Sequence, residues 1–170
     1  GLKEEFKQIT QDIGAANEER FEKTLAEGSY EREVVVSSPI LPDGSAVFSG
    51  RCDFILSGVK TPHVVELKST SSKSKVTDLN QGRITPEVLA QICNYMIEFE
   101  MTEGVLRYTF YKDAKPVKDY TFDLRLDEYG TVLLDGADSG FTVADALQHR
   151  LLQVEVIKEQ IRDQFGAGRR

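Results

Sequence analysis

The sequence predicts a mixed α/β fold, a β-sheet flanked by helices, formed as one domain over residues 1–170. Three observations predict it. Apolar residues recur at helical spacing near both ends of the chain. Between them lie short alternating runs punctuated by Gly and Pro, and one further helical segment interrupts those runs. The resulting order is helix, three strands, helix, two strands, helix. The 170 residues are 40% hydrophobic and 29% charged, which suits a soluble globular domain with a sizeable core.

The first helix is read over residues 2–13, with Leu2, Phe6, Ile9 and Ile13 at helical spacing. Gly14 is expected to loosen or bend it before it continues through 15–27 to a stop at Gly28. Strands follow at 30–37, 46–56 and 62–69, a meander joined by SPILPDGS and SGVKT. The stretch 70–84 is polar and aperiodic and reads as a mobile loop. Thr85 and Pro86 open a helix to about Met101. Strands near 104–112 and 117–125 are joined by DAKP. Thr142 and Asp145 form the pattern of a capping box for a last helix. Its apolar stripe is Val143, Leu147, Leu151, Val154, Ile157 or Lys158, Ile161 and Phe165.

No apolar run reaches the ~18 residues of a membrane span, and the N-terminus has no apolar signal region, so no membrane partner is expected. The first residue is Gly1, not Met, as expected of a domain cut from a longer protein or complex component, or of a tag remnant. Cys52 and Cys93 match no zinc spacing and cannot build a four-cysteine iron–sulfur cluster. Both read as core thiols in a reducing compartment, which places the chain inside the cell, in cytoplasm or nucleus. The net charge of -7 excludes a surface that is basic all over. One segment runs against it: residues 60–83 hold Lys60, Lys68, Lys73, Lys75 and Arg83 against Glu66 and Asp78.

The chemistry-bearing residues converge by strand parity. Phe48, Cys52, Phe54 and Leu56 are expected on one face of their strand, with Asp53, Arg51 and Ser49 on the other. Val65 and Leu67 share one face of the next strand, and Glu66 and Lys68 the opposite one. Paired as a meander, these strands bring Asp53 and Glu66 together. Two carboxylates in register repel unless a cation lies between them, and Mg2+ favours one or two carboxylates completed by water and phosphate oxygens. Lys68 beside them offers positive charge for a nucleophile or a developing oxyanion. Taken alone, Glu-x-Lys on a strand is an ordinary solvated pair. Its neighbours add weight. Gln91 and Tyr95 fall at i and i+4 on an inward helical face, and Gly14, Glu18, Phe21 and Leu25 fall on one stripe of the first helix. Glu22, one turn on, is the reserve for Glu18.

In order along the chain stand Gly-x-x-x-Glu (Gly14–Glu18), Gly-Arg-x-Asp (Gly50–Asp53), Glu-Leu-Lys (Glu66–Lys68) and Gln-x-x-x-Tyr (Gln91–Tyr95). This ordered set, spanning residues 14–112, resembles the PD-(D/E)XK nuclease superfamily and is similar to its RecB-type exonuclease branch. That branch includes CRISPR-adaptation and phage recombination nucleases. The resemblance implies a restriction-endonuclease-like core and metal-dependent hydrolysis of phosphodiester bonds, with DNA as the favoured nucleic acid. It implies Asp53, Glu66 and the Leu67 carbonyl as ligands of one or two Mg2+ or Mn2+ ions, with Glu18 near a second ion. Lys68 would hold the attacking water, Gln91 would orient Lys68 or the scissile region, and Tyr95 would pack or contact the substrate backbone. The iron–sulfur members of the branch have cysteines that this chain lacks, and many members have His at the position of Glu18. Asp43, in the turn LPDGS, is the alternative to Asp53. Arg51, Lys73, Lys75 and Arg83 are the candidate phosphate contacts, and His63 reads as a strand-start surface residue. An RNA-directed nuclease of decapping or cap-snatching type and an inactive nucleic-acid-binding scaffold are the alternative functions.

Overall fold

The computed structural model describes residues 1–39, 42–44 and 47–166. Helix α1 (Leu2–Glu22) leads into strands β1 (Tyr30–Pro39), β2 (Val47–Leu56) and β3 (His63–Thr70). Helices α2 (Lys73–Asn80) and α3 (Pro86–Glu98) cross to β4 (Glu103–Lys112). Then come β5 (Lys115–Leu126), β6 (Thr131–Leu134), β7 (Ala137–Thr142) and α4 (Val143–Gly166). The seven strands form one sheet in chain order. Every neighbouring pair is antiparallel except β3 and β4, which run parallel and need the long helical crossover. This is the predicted mixed sheet flanked by helices.

Both faces of the central strands are buried. Val64 and Val65 are adjacent in β3 and both fully buried, on opposite faces. One face holds the larger core: Val64 and Leu106 from the sheet pack with Ile92, Cys93 and Met96 of α3 and Ala146 of α4. The other face holds Phe54, Leu56, Val65 and Leu67 under Phe21, at the end of α1, and Leu25, in the turn that follows it. Each such side chain contributes ~1.5–3 kcal/mol by leaving water. Both cysteines are free, buried core thiols. No helix among the described residues is long and apolar enough to cross a membrane.

Several expectations are corrected. The stretch read as a mobile loop contains α2. Ser72 caps it by accepting from Lys75 N–H at 3.3 Å, and Leu79 anchors it in the larger core. Val76 and Leu79, three apart, were the sequence signal for it. Helix α1 runs unbroken through Gly14 and stops at Glu22, short of residue 27. Its first stripe stays outside the core, with Leu2 86%, Phe6 74% and Ile9 52% exposed. Helix α3 ends at Glu98, and β5 begins at Lys115 because Asp113 and Ala114, both at positive φ, close the hairpin in two residues. Strands β6 and β7 extend the sheet beyond the five expected. They turn at Asp135 (φ 51°) and Gly136 (φ 84°), an Asp-Gly hairpin signal. The capping box at Thr142 and Asp145 forms as read, with reciprocal bonds of 2.9 and 3.1 Å. The side chains of Val154, Ile157, Ile161 and Phe165 lie outside the described residues.

Leu79→Ala is expected to cost ~2–4 kcal/mol, because a docked helix loses a core anchor where a mobile loop would lose nothing. Chemical denaturation followed by circular dichroism measures it.

Candidate active site

The site begins where the β2–β3 ladder stops. The strands pair at Leu56↔His63, Ile55↔Val64 and Phe54↔Val65, and no further. Past that point β2 stays with β1 as far as Val47, and β3 stays with β4 as far as Thr70, so the sheet forks. Backbone groups in the fork still need partners. The side chains supply them: Asp53 N–H donates to Glu66 Oε1 at 3.0 Å, and Leu67 N–H donates to Asp53 Oδ2 at 2.8 Å. Two carboxylates thus replace the missing rungs.

A second irregularity turns Asp53 toward the fork. Cys52 and Phe54 belong to the cores on opposite faces, although residues two apart on a regular strand share a face. Strand β1 behaves alike: Arg32 lies over the Phe54 ring at 5.9 Å, while Val34 packs on the other core. The register is the same on both sides, Arg32↔Phe54 and Val34↔Cys52, which leaves Glu33 and Asp53 opposed at the swap. Glu33 takes a left-handed φ of 55°, a conformation uncommon outside Gly. This corrects the expected shared face of Cys52 and Phe54. Asp53 and Glu66 meet through the fork rather than on one smooth face.

On the α1 side, Asp53 lines a cleft of about 470 Å³ with Gly14, Asn17, Glu18, Glu33, Arg51 and Leu67. Glu18 reaches Asp53: the two carboxyls lie within hydrogen-bonding reach, and after burial the nearby Asp53 charge further disfavours ionisation of Glu18. Arg32 fastens α1 over the cleft, with Nη2 3.5 Å from Glu18 and Nη1 3.1 Å from Glu22. Glu18 is therefore the first-helix carboxylate at Asp53, and Glu22 stays with Arg32. Asp43 lies in the turn at 42–44, away from β3 in the chain.

On the α3 side, Glu66 is 3% exposed and Lys68 Nζ stands 3.9 Å from its Oε2. Gln91 bonds to the Tyr95 side chain, and Tyr95 Oη donates to the Arg51 carbonyl at 3.3 Å. Tyr95 is buried and takes the packing role of the two expected for it. It also explains Gly50: a Cβ there would lie 2.6 Å from the Tyr95 hydroxyl. Gln91 and Tyr95 line a second recess of about 260 Å³ with Phe48, Asn94 and Arg150.

The basic residues disperse. Arg51 is exposed at the cleft mouth, 4.0 Å from Glu33. Lys73 is exposed on the first turn of α2, and Lys75 lies over the Tyr108 ring at 5.0 Å, beside Lys68 across the β3–β4 pair. Arg83 is bound to Asp78 at 2.9 Å and lines a recess with Leu134 and Ser139, apart from the carboxylates. His63 sits at the start of β3 and lines a larger recess of about 660 Å³ that includes none of Glu18, Asp53 and Glu66. Sequence reasoning missed Asn17, Arg32 and Glu33. A buried Asn beside Glu18 is invisible to apolar periodicity, and the Arg32 and Glu33 contacts depend on the face swap.

Burial dominates the electrostatics. It raises the pKa of Glu18, Asp53 and Glu66 alike, making each a weaker acid, and for Glu66 the neighbouring Asp53 adds to it, pushing the carboxyl up to about 8. Lys68 and the bond from Asp53 N–H offset this only in part. Three carboxyls thus stand in a site that resists their ionisation.

No protein-family model matches the chain, and no curated protein matches it in sequence. Solved structures do. LHK-Exo, solved in complex with dAMP, aligns with a TM-score of 0.52 at 14% identity, over 94% of this chain and 73% of that one. SSO0001 aligns with a TM-score of 0.49 at 17% identity, over 86% of this chain. The aligned region covers 64% of the SSO0001 chain. The fold shared with LHK-Exo is the restriction-endonuclease-like one, a mixed sheet flanked by helices.

Two outcomes follow from this geometry. In EDTA, the folded protein keeps a proton on Glu66 that the unfolded chain, near the ordinary value of 4.5, releases. Stability therefore falls as pH rises from about 4.5 through about 8, and the whole penalty is present above that. The melting temperature should drop across this window, at about 2–4 °C per ~1 kcal/mol, and Glu66→Gln should flatten most of the slope. Gly50→Ala should cost ~1–3 kcal/mol by overpacking against Tyr95, and Tyr95→Phe in the same chain should recover part of it, as urea titrations of the single and double variants will read.

Proposed function

We propose that the chain is a metal-dependent nuclease that hydrolyses phosphodiester bonds of DNA, as an exonuclease or a structure-selective enzyme inside the cell. One observation carries the reading: the carboxyls of half-buried Asp53 and buried Glu66 meet at the sheet fork, where each takes a backbone N–H of the other strand, with Lys68 3.9 Å from Glu66. The shared fold with LHK-Exo, an exonuclease solved with dAMP, supports it, as does the ordered set of four motifs.

The donor set fits a hard divalent cation. Its atoms are carboxylate and carbonyl oxygens, and their buried, mutually repelling charges are those a cation would relieve. Among the described residues no group of three His, Cys, Asp or Glu side chains is placed to hold a metal ion, so water and phosphate oxygens would have to complete the shell. Asp53, Glu66 and the Leu67 carbonyl would hold Mg2+ or Mn2+, with Glu18 beside a second ion. Such an ion supplies a hydroxide-like water and neutralises charge on the phosphate.

The remaining roles belong to the chain itself. Lys68 Nζ, on the Glu66 side of the fork, donates to the attacking water and holds it in line with the phosphorus. The water gives up a proton to solvent as its oxygen bonds to phosphorus, one P–O ester bond breaks, and the leaving oxygen takes a proton from solvent. Gln91 acts through Tyr95, which supports the β2 backbone at Arg51. Arg51 at the cleft mouth, with Lys73 and Lys75 on α2, meets the phosphates.

Lys68→Ala should lower Mn2+-dependent cleavage of end-labelled DNA by about 10²–10⁴-fold while the melting temperature holds, since Lys68 is partly exposed. A panel of single-stranded, double-stranded and RNA substrates with free and blocked ends reads substrate and polarity together. Wild-type protein that cuts none of them would sink the nuclease reading.

A further inference from the structure

Asn17 lines the cleft one residue before Glu18, yet it is 2% exposed. A buried amide needs partners at both ends. Its Oδ1 has one: Arg20 Nη2 donates at 3.3 Å, with Thr109 Oγ1 in contact at 3.2 Å. Both residues are fixed in turn by Asp119. Arg20 donates to its two oxygens at 3.0 and 2.7 Å, and Thr109 Oγ1 donates to Oδ1 at 2.7 Å. A guanidinium only donates, so it dictates which end of the amide faces it. The oxygen turns to Arg20 and Nδ2 turns away.

Nδ2 has no acceptor among the described residues. It is not sealed off either, unlike Arg20 Nε, and so stays open to the cleft. A bare –NH2 cannot ligate a cation; it requires an oxygen from the ligand. The cleft walls carry Glu18, Glu33 and Asp53, so an anionic strand entering there needs donors, and Arg51 on β2 and Asn17 on α1 face it from two sides. Gly14, one turn earlier on α1, leaves the approach clear: a Cβ there would meet nothing within 4 Å.

We propose that Asn17 Nδ2 donates to a non-bridging phosphate oxygen of the nucleic-acid strand in the cleft, and that Arg20, Thr109 and Asp119 are positioning residues that fix the amide. This rests on the nuclease reading above. Arg20 and Asp119 have a purpose in it that stability alone does not require: they set the orientation of one donor.

The test is a double-mutant cycle between protein and DNA. Fluorescein-labelled DNA binds wild-type protein in Ca2+, and each linkage in turn is replaced by a neutral methylphosphonate. One linkage should weaken wild-type binding by roughly tenfold. Asn17→Ser, which is neutral and keeps a hydroxyl acceptor for Arg20, should weaken binding by a similar factor and lose little more at that linkage. Losses that add at every linkage overturn the proposal. If Asn17→Ser does not fold, the wild-type protein still decides: the Asn17 side-chain NH2 signals in a ¹⁵N spectrum should shift when unmodified DNA is added, and unmoved signals overturn it. Wild-type binding and Mn2+-dependent cleavage with an additive cycle would remove this inference alone. Wild-type protein that neither binds nor cuts would remove the nuclease reading with it.

Discussion

Where β2 and β3 part, two backbone N–H groups lose their ladder partners, and the nearest acceptors are the carboxylates of Asp53 and Glu66. Much of the site follows from that substitution. The carboxylates are held rigidly because each satisfies an N–H that would otherwise be stranded in the interior. Glu66 is buried and Asp53 half-buried because the strands on either side continue into the two cores. They resist ionisation because burial favours the proton on both, and on Glu66 the charge of Asp53 adds to it. One local need of the backbone thus produces a pair of acids that their surroundings hold towards the protonated form.

The fork is held open from both sides of the sheet. On one side, Arg32 ties Glu18 and Glu22 of α1 to β1, and Phe21 packs against Phe54 with ring centroids 5.0 Å apart. On the other, Tyr95 of α3 presses against Gly50 and bonds to the Arg51 carbonyl. Between these clamps the β1–β2 ribbon swaps faces at Glu33 and Asp53. The left-handed backbone at Glu33 costs ~1–3 kcal/mol, so it persists because the packing on either side specifies it. That distortion sits at the cleft wall, where it aims Asp53 and Arg51 toward the same opening.

Much of this was legible in the residues. Val65 and Leu67 alternate against Glu66 and Lys68, and the strand forms with that parity. Gly14 and Glu18 share the cleft face of α1, and Phe21 and Leu25 pack in the core beneath its end, as their spacing requires. Other features were present as signals too weak to decide an element. Asp135-Gly136 marked a hairpin, but strands as short as β6 have little alternation to read. Val76 and Leu79 marked a docked face on α2, but Ser, Lys and Thr around them read as loop. Asn17 gave no signal at all, because its reason for burial is an arginine, a threonine and an aspartate brought from 3, 92 and 102 residues away.

By itself the sequence determined the mixed α/β class, the order of the central strands and helices, and the meeting of Asp53 and Glu66 between β2 and β3. These depend on periodicity, caps and turn residues, which act over a few positions and survive in a linear reading. Tertiary structure alone decided where the β2–β3 ladder breaks, that Cys52 and Phe54 face opposite cores, and that Glu18 rather than Glu22 meets Asp53. It also decided that Arg83 pairs with Asp78 instead of joining the cleft. The reason is physical: each of these outcomes is a competition between partners far apart in the chain for the same hydrogen bond or the same buried face. Local rules name the competitors, and only packing settles which of them wins.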